Sequence, residues 1–363
     1  MESWENLICI LLALCISGWI LPVSASDNQN PVNIDATQQE GQTITILDDR
    51  GQYITVPYPV KSVVFLVENA MNSMYAVGGA DQISGIGTLW MPEKKDPFFR
   101  AIDPGYGEKP KISNTNGEVD LGALAEAKPD LVVLWSSDWK DETTRKIKDT
   151  LKVPVYQVYY TKLSDVSRAN GVYARIIKNE NRGVEVSDIM GEYTRKVTDI
   201  TGNIQDENRP TVYWMWSDIF GTTGLNSANN DLIRLAGGKN VLEDADFEGK
   251  MLEHPMISLD ILKKLDPDVI YMWYNEKIDP SDVMSGSGTF ADWKNLKAVK
   301  NGRVYEVADP FVYDSFSPQQ PLALMAIAKD LQPNLFNSIN MDQIIDSFFV
   351  KMYNVHYPGY STA

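Results

Sequence analysis

Apolar residues in the middle of the chain recur at the spacing of an α-helix. They lie three or four positions apart over residues 186–204, and a shorter stretch with the same period covers residues 166–177. Asn179, Asn181 and Gly183 interrupt the two patterns. A helix of roughly 20 residues is about 30 Å long, the width of a small domain. The pattern therefore predicts a capping helix and then a long spanning helix within residues 163–204.

The same sequence pattern occurs on each side of this segment. It consists of an amphipathic helix, a Pro-Asp pair and an almost continuous apolar strand that ends in Trp. Residues 120–135 form the first copy and residues 258–273 the second. Proline ends a helix, and an unbroken apolar strand is typical of a parallel sheet covered on both faces. A second matching pair, 74–83 and 232–241, occurs in the same order, which favours duplication over chance similarity. We therefore expect an α/β fold in which one long helix joins two Rossmann-like lobes with parallel sheets.

The rest of the pattern predicts a β-hairpin over 44–59, a strand over 61–67 and a helix over 69–79 with Asn69 as its N-cap. Residues 88–116 are predicted to be a long loop rich in aromatics, and loops of this length are usually functional or disordered. The alternative is a surface loop that its aromatics fasten to the lobe. A loop is predicted over 280–289 and a helix over 293–299, and helices are predicted over 321–331 and 341–353.

The first 26 residues have the features of a targeting segment. Residues 7–21 are an apolar run of signal-peptide length, and Ala25 offers a cleavage site, although residues 1–6 contain no Lys or Arg. An uncleaved anchor or lipidation at Cys15 are the alternatives, and the bulky Leu14 disfavours lipidation. Cys9 and Cys15 both lie here, so we expect a mature chain without a thiol. The predicted organisation is a signal peptide or anchor (1–26), a tether (27–42), an N-terminal lobe (43–162), the capping and interlobe helices (163–204) and a C-terminal lobe (205–363).

Charge and composition narrow the function classes. The formal net charge of −16 argues against binding to nucleic acid or to an anionic membrane, because both need a basic face. Hydrophobic residues make up 44% of the chain, which is enough for the cores of two lobes. No common catalytic or nucleotide-binding motif is present, and His254 and His356 are the only histidines. We therefore predict a monomeric binding protein that is not an enzyme and has no cofactor or resident metal, with His254 as a weak candidate ligand for a metal.

Aromatic residues gather where the predicted strands end. In open parallel sheets, ligands bind beyond the carboxyl ends of the strands, so two facing lobes lined in this way would form an aromatic ligand cleft. Core packing is the competing explanation for the tryptophans on strands. The candidate ligand-binding residues are Trp90, Arg100, Trp135, Trp139, Tyr160, Trp216, Phe220, Trp273, Tyr274, Tyr313 and Phe316.

The chain resembles the substrate-binding proteins of ABC importers that have a helical backbone. The resemblance covers about residues 42–353 and rests on the lead-in 44–56, the strand 61–67, the Met74-Tyr-Ala-Val-Gly-Gly segment, both helix-Pro-Asp-strand units and the C-terminal segments 317–328 and 348–353. This class carries ferric siderophores, haem and cobalamin. The resemblance implies two lobes on a rigid helix, a small closure on binding, and delivery to a membrane permease dimer from the periplasm or the outer face of the membrane.

The resemblance also implies one docking acid on each lobe, seven residues before the proline of the repeated helix. Asp260 occupies that position in the second lobe, whereas the first lobe has Gly122, for which Asp120 or Glu118 could substitute.

Three functions are compatible with the sequence. The leading hypothesis is capture of a metal chelate, namely a ferric siderophore, a corrinoid or haem, with Arg100, Arg168 or Lys94 pairing with its oxygens. A smaller metal complex or an oxyanion is the second, and it would rely on arginine and His254 more than on aromatics. A surface chelatase or metal-complex reductase on the same scaffold is the third, and it would need a titratable cluster that the sequence does not display.

Overall fold

Two separate parallel sheets organise the chain in the computed structural model, which describes residues 43–87, 96–113, 118–136, 141–275, 277–307 and 309–357. An antiparallel hairpin, β1 (Thr43–Leu47) and β2 (Tyr53–Pro57), precedes them. The first sheet contains β3 (Val63–Phe65), β4 (Ile83–Ile86), β5 (Leu131–Trp135) and β6 (Val155–Val158). The second sheet contains β7 (Thr211–Met215), β8 (Lys239–Asn240), β9 (Val269–Met272) and β10 (Val304–Glu306).

Both sheets have the same topology. The spatial orders are β4-β3-β5-β6 and β8-β7-β9-β10, so each sheet is wound 2-1-3-4 in chain order with parallel pairing. This is the arrangement expected of a duplicated α/β unit, and it confirms the predicted fold class.

The helices are α1 (Glu68–Ala76), α2 (Asp96–Ile102), α3 (Leu121–Ala127), α4 (Glu142–Leu151), α5 (Leu163–Ile176), α6 (Glu180–Thr201), α7 (Ala228–Leu235), α8 (Leu259–Leu265), α9 (Pro280–Ser285), α10 (Lys297–Lys300), α11 (Gln320–Leu331), α12 (Pro333–Phe336) and α13 (Met341–Tyr353).

The aspartate of each Pro-Asp pair accepts equivalent hydrogen bonds in the two lobes. Asp130 Oδ2 accepts hydrogen bonds from the backbone amides of Lys61 and Ser62, at 2.8 and 3.1 Å, just before β3. Asp268 Oδ2 accepts from the amide and the hydroxyl of Thr211, at 3.0 and 2.9 Å, at the start of β7. Each carboxylate therefore fixes the start of the neighbouring strand, which gives a physical reason for the repeated Pro-Asp motif.

The spanning helix α6 contributes to the cores of both lobes. Met190 and Tyr193 belong to the core of the first lobe, whereas Val197 packs with the core of the second. The break between α5 and α6 lies at residues 177–179, so Asn181 and Gly183 are inside α6 and do not interrupt it as predicted. Gly183 is needed there for close approach, because a Cβ at this position would lie 2.6 Å from Cβ of Ala174 on α5.

Several local predictions are wrong. Residues 96–102 of the predicted long loop form α2, whose Phe98 and Phe99 are buried in the core. Residues 280–285 form α9 rather than a loop, and the predicted helix over 293–299 is reduced to the short α10. Helix α1 begins at Glu68 after Val67, so Asn69 is not its N-cap.

The C-terminal helix returns to the first lobe, although the sequence assigns residues 205–363 to the second. Phe348, Phe349 and Met352 of α13 are buried in the first-lobe core. The Tyr353 hydroxyl donates to Oδ1 of Asn72 on α1 at 2.7 Å. Residues 1–26 and 27–42, the predicted leader and tether, lie outside the described residues. Within the described ranges, no helix is both long and apolar enough to cross a membrane.

A partly buried carboxyl group lies beneath the second sheet. Asp330 of α11 accepts a hydrogen bond at Oδ2 from the Tyr271 hydroxyl at 3.0 Å. Burial raises the pKa of Asp330 from its ordinary 3.8 to about 6, while the hydrogen bond from Tyr271 acts in the opposite direction. Because the folded state holds this proton more tightly than the unfolded chain does, the contribution to stability is complete below pH 3.8 and is lost as the pH rises through about 6.

Asp330→Asn should remove this loss of stability, because the amide keeps an acceptor for Tyr271 and carries no charge. Above pH 6 we expect the variant to be more stable than the wild type by about 1–3 kcal/mol, with the difference vanishing near pH 4. Denaturant unfolding at several pH values measures it, and Asp199→Asn on the exposed face of α6 is the control. A stability difference that does not change between pH 4 and pH 7 would contradict the assignment.

Candidate functional site

The first aromatic wall lies at the carboxyl ends of β5 and β6. The ring of Trp135, the last residue of β5, lies 6.0 Å from the ring of Tyr159 and 5.7 Å from that of Tyr160. Trp135 also packs edge-on against Phe316, whose segment follows the second sheet, with 5.3 Å between ring centroids. Tyr160 is fully buried, while Trp135, Tyr159 and Phe316 are partly exposed. One edge of the first sheet is therefore joined through aromatic packing to a segment that comes from the second lobe.

The second aromatic wall lies at the carboxyl ends of β7 and β9. Trp216 and Trp273 are the first residues after these strands, are partly exposed, and have ring centroids 5.7 Å apart. Trp214 shares their face of the sheet but is 1% exposed and stacks on Tyr271, so it is a core residue. The His254 ring meets Trp216 edge to face at 4.8 Å. The tryptophan within β7 is therefore part of the core, whereas the two tryptophans just after β7 and β9 lie on the side of the predicted cleft.

An ordered segment, residues 250–257, covers the loop after β7. The amides of Thr222, Gly224 and Leu225 donate to the carbonyls of Pro255, Glu253 and Lys250 at 3.0, 3.1 and 2.7 Å. A Cβ on Gly224 would lie 1.8 Å from the carbonyl oxygen of Leu252, so only glycine permits this approach. The Trp216 indole N–H donates to the Thr222 carbonyl at 3.1 Å, which fixes the ring against the loop that this segment covers.

This segment brings Glu253 and His254 to the second wall. The Glu253 side chain is only 10% exposed, and its Oε1 lies 3.5 Å from His254 Nε2, whose own side chain is 52% exposed. Oε2 of Glu253 is buried and has no hydrogen-bond partner among the residues that the structure describes. No sequence pattern indicates a role for this acid, because its position depends on how residues 250–257 fold over the loop after β7.

A cation lies on the first wall. The Arg50 guanidinium carbon is 4.4 Å from the centroid of the Tyr159 ring. Burial raises the pKa of Tyr159; the charge of Glu253 raises it further and the charge of Arg50 lowers it. A carboxylate of the second lobe thus contributes to the pKa shift of a first-lobe tyrosine.

Arg168, a sequence candidate for ligand pairing, is already paired with acids. Its Nη1 lies 2.8 Å from Oδ1 of Asp49, and its Nη2 lies 3.6 Å from Oδ1 of Asp165. Burial raises the pKa of Asp49, and the Arg168 charge is the strongest effect opposing it. The Tyr156 hydroxyl donates to the same carboxylate at 2.7 Å. Arg168 thus fastens the hairpin turn to α5.

The remaining candidates are spread over the molecule. Arg100 lies on α2 with its guanidinium carbon 5.9 Å from the ring of Tyr106. Phe220 packs 6.0 Å from Trp293 on the opposite face of the second sheet. Trp90, Trp139 and Lys94 lie outside the described residues.

Two tyrosines lie next to the residues of the walls in the sequence. Tyr274 follows Trp273 and is partly buried. Tyr313 packs against the cores of both lobes, and burial, helped by the charge of Asp309, raises its pKa to about 12. Ligand contact by any of the candidates stays a prediction.

The docking candidates have different surroundings. Asp260 is exposed in the first turn of α8. Asp120 is the N-cap of α3, and its Oδ1 accepts from the amides of Gly122 and Ala123 at 2.8 and 3.0 Å.

Among the described residues, the two walls offer aromatic rings for stacking, the Arg50 cation, the Glu253 carboxylate and the exposed His254 imidazole. Within the described ranges, no group of three or more His, Cys, Asp or Glu side chains could hold a metal ion. A surface cavity of about 260 Å³ lies elsewhere, beside the end of α6, and Arg209, Arg234 and Lys239 are among the residues that line it.

Comparison with known proteins places this geometry in context. A family model described as periplasmic binding protein matches residues 63–310. The Fe(3+)-citrate-binding protein YfmC of Bacillus subtilis is 23% identical over 310 residues, which cover 84% of this chain and 91% of that protein. The solved structure of MolA from Haemophilus influenzae bound to molybdate has a TM-score of 0.69 at 19% identity, covering 86% of this chain and 98% of its own. The Helicobacter pylori CeuE complex with Ni-His has a TM-score of 0.68 at 17% identity, covering 87% and 97%. These structural likenesses concern the fold.

Gly224→Ala should displace residues 250–257, because its methyl group would collide with the Leu252 backbone. We expect a loss of about 1–3 kcal/mol in the free energy of unfolding and a change in tryptophan emission as Trp216 loses its anchor. Gly171→Ala is the matched control: nothing lies within 4 Å of its Cβ position in the interior of α5. It should stabilise the protein by about 0.5–1 kcal/mol. Equal unfolding free energies for the two variants would count against the close approach at Gly224.

Proposed function

Because the chain belongs to the periplasmic binding protein family, which makes it a solute-binding protein and not an enzyme, we propose that it captures a metal chelate between its lobes and delivers it to the permease of an ABC importer. The observation that carries the proposal is the pair of aromatic walls, Trp135 with Tyr159 and Trp216 with Trp273, at the carboxyl ends of two separate parallel sheets. This is where ligands bind in open α/β sheets.

The character of the walls supports a bulky ligand with an organic shell. Partly exposed indole and phenol rings offer apolar area with a fixed orientation, which suits a flat or rounded chelate more than a small hydrated ion. The relatives named for Fe(3+)-citrate, siderophore and iron(3+)-hydroxamate binding agree with this choice.

A smaller metal complex or oxyanion is the second candidate. It is favoured by the exposed His254 beside Trp216, by Arg50 on the first wall, and by the likeness to the molybdate-binding protein MolA. A chelate with an organic shell can stack on the tryptophan rings, whereas a small oxyanion offers little surface for stacking. Substitution of a wall tryptophan should therefore weaken the binding of the first ligand type more than that of the second.

The names of the relatives support a place of action outside the cytoplasmic membrane. Relatives include substrate-binding lipoproteins, and we propose that this chain works outside the cytoplasmic membrane as a monomer, with residues 1–26 as its leader or anchor. We also propose that Asp260 on the second lobe docks on the permease. Asp120 serves the first lobe through Oδ2, the oxygen that does not cap α3.

Trp216→Leu should weaken the binding of ferric citrate or of a ferric trihydroxamate by about tenfold, because the leucine keeps apolar volume and loses the stacking face. Quenching of the remaining tryptophans during titration measures the affinity. Trp293→Phe is the control, since Trp293 packs under the opposite face of the second sheet. A small oxyanion such as molybdate should bind both variants with similar affinity. Unchanged chelate affinity in Trp216→Leu would refute the stacking role.

Asp260→Lys should reduce uptake of the bound chelate through the permease and leave its affinity for the free binding protein unchanged. The reason is that the exposed carboxylate lies on α8, outside both aromatic walls. Transport into permease-containing vesicles and a binding titration are measured in parallel. Asp188→Lys on the exposed side of α6 makes the same change in net charge and should leave uptake intact. Equal uptake by the two variants would exclude the docking role.

A further inference from the structure

Arg50 is held rigidly at the first wall by the hairpin turn. The amide of Asp49 donates to the Gln157 carbonyl of β6 at 3.1 Å, and its carboxylate accepts from the Tyr159 amide at 3.1 Å. The ion pair of Asp49 with Arg168 completes this anchor. These contacts tie the turn to the end of β6, where the Arg50 guanidinium carbon lies 4.4 Å from the centroid of the Tyr159 ring.

Apart from its contact with Tyr159, Arg50 has no ion-pair partner among the described residues. Its neighbour Asp49 is paired with Arg168, and Oδ1 of Asp48 accepts the backbone amides of Arg50 and Gln52 at 3.0 and 2.7 Å. In the described part of the chain, no carboxylate forms an ion pair with the Arg50 guanidinium. A planar guanidinium that rests on an aromatic ring keeps its N–H edge for a carboxylate or another oxyanion.

Glu253 supplies a negative charge on the second wall, opposite in sign to Arg50 on the first; these two charged side chains are called the two poles. Nine-tenths of its side chain is buried, and Oε2 has no hydrogen-bond partner among the described residues. A buried carboxylate oxygen without a donor is unfavourable, so a donor is expected from whatever occupies the site. The backbone of Glu253 is fixed by the Gly224 amide at 3.1 Å, which leaves the side chain little freedom to turn out to water.

The two poles flank the aromatic walls from opposite lobes. Arg50 covers Tyr159, which packs on Trp135, and Glu253 precedes His254, which packs on Trp216. Trp135 also packs on Phe316, whose segment follows the second sheet, so the first wall lies against residues that come from the second lobe.

We propose that Arg50 binds an anionic oxygen of the ligand and that Glu253 accepts a hydrogen bond from a hydroxyl, an N–H or a metal-bound water of the same ligand. The cleft then selects carboxylate-bearing metal chelates that also carry a hydrogen-bond donor. This inference rests on the proposed function and specifies its substrate class.

The two poles reject other ligands by different means. A neutral ferric trihydroxamate would leave Arg50 desolvated without a counter-charge, and a group left unpaired in this way lowers affinity. Molybdate would satisfy Arg50 but would bring negative charge near Glu253 without offering a strong donor. A chelate with carboxylates at one side and a donor at the other satisfies both.

The test uses three probes: ferric citrate, a neutral ferric trihydroxamate and molybdate. They are titrated against the full chain and followed by tryptophan fluorescence. Arg50→Gln should weaken ferric citrate binding by about tenfold or more and leave the trihydroxamate unchanged. Arg195→Gln, on the exposed side of α6, is the charge-matched control and should alter neither. Glu253→Gln keeps the shape of the side chain and removes its charge. It should weaken ferric citrate binding, because the ligand donates a hydrogen bond to the carboxylate. It should strengthen molybdate binding, because the carboxylate repels the molybdate anion.

The outcomes distinguish this inference from the proposed function. If the wild type binds the trihydroxamate as tightly as ferric citrate and Arg50→Gln behaves like Arg195→Gln, chelate capture stands and the selectivity is overturned. Tighter ferric citrate binding by Glu253→Gln overturns the acceptor role. A wild-type protein that binds none of the three probes overturns the proposed function and this inference with it. Thermal unfolding of each variant confirms that the effects do not come from loss of the fold.

Discussion

The shared core along α6 is the constraint on which the rest of the structure depends. One face of a single 22-residue helix supplies Met190 and Tyr193 to the first core and Val197 to the second. Thr201 adds a hydrogen bond from its hydroxyl to the Leu235 carbonyl at 2.7 Å. Because protein interiors are close-packed, rotating one lobe against the other would require repacking this face. The arrangement favours a cleft whose walls are positioned before the ligand arrives.

The symmetry of the two lobes stops at the loops. Asp130 and Asp268 hold their sheets in the same way, and both sheets are wound identically. In the second lobe the loop after β7 is covered by residues 250–257, whereas in the first lobe the end of β5 meets Phe316 from a distant segment. A duplicated scaffold therefore presents two different walls, one with a cation and one with an acid, and this difference is what can orient an asymmetric ligand.

Local signals made much of the fold predictable from the sequence. Helix α13 has its predicted bounds because Asn340 caps its start and Asn354 adopts a left-handed conformation at its end. Helix α2 was missed because its seven residues are stabilised by packing of Phe98 on Phe311 and Phe349, which are remote in sequence. Helix α9 did carry a local signal, since the side chains of Asp279 and Asp282 flank a proline at its first turn.

The candidate site was predictable only where it follows strand ends. Trp216 and Trp273 come together because parallel strands finish at the same edge of a sheet. Arg50 and Glu253 could not be identified in this way, because a hairpin turn and a covering segment carry them, and only long-range hydrogen bonds decide where these lie. The same applies to Phe220, whose position after a strand suggested the cleft while its ring lies under the opposite face of the sheet.

The return of α13 to the first lobe has a consequence for how the protein melts. The side chains of Phe348, Phe349 and Met352 fill a core built largely from residues 44–193, so that core is incomplete until the last helix has been made. The core of the first lobe is therefore completed only when α13 packs onto it. The described body is therefore expected to lose its structure in one cooperative transition, and the ribosome must release nearly the whole polypeptide before the first lobe can settle.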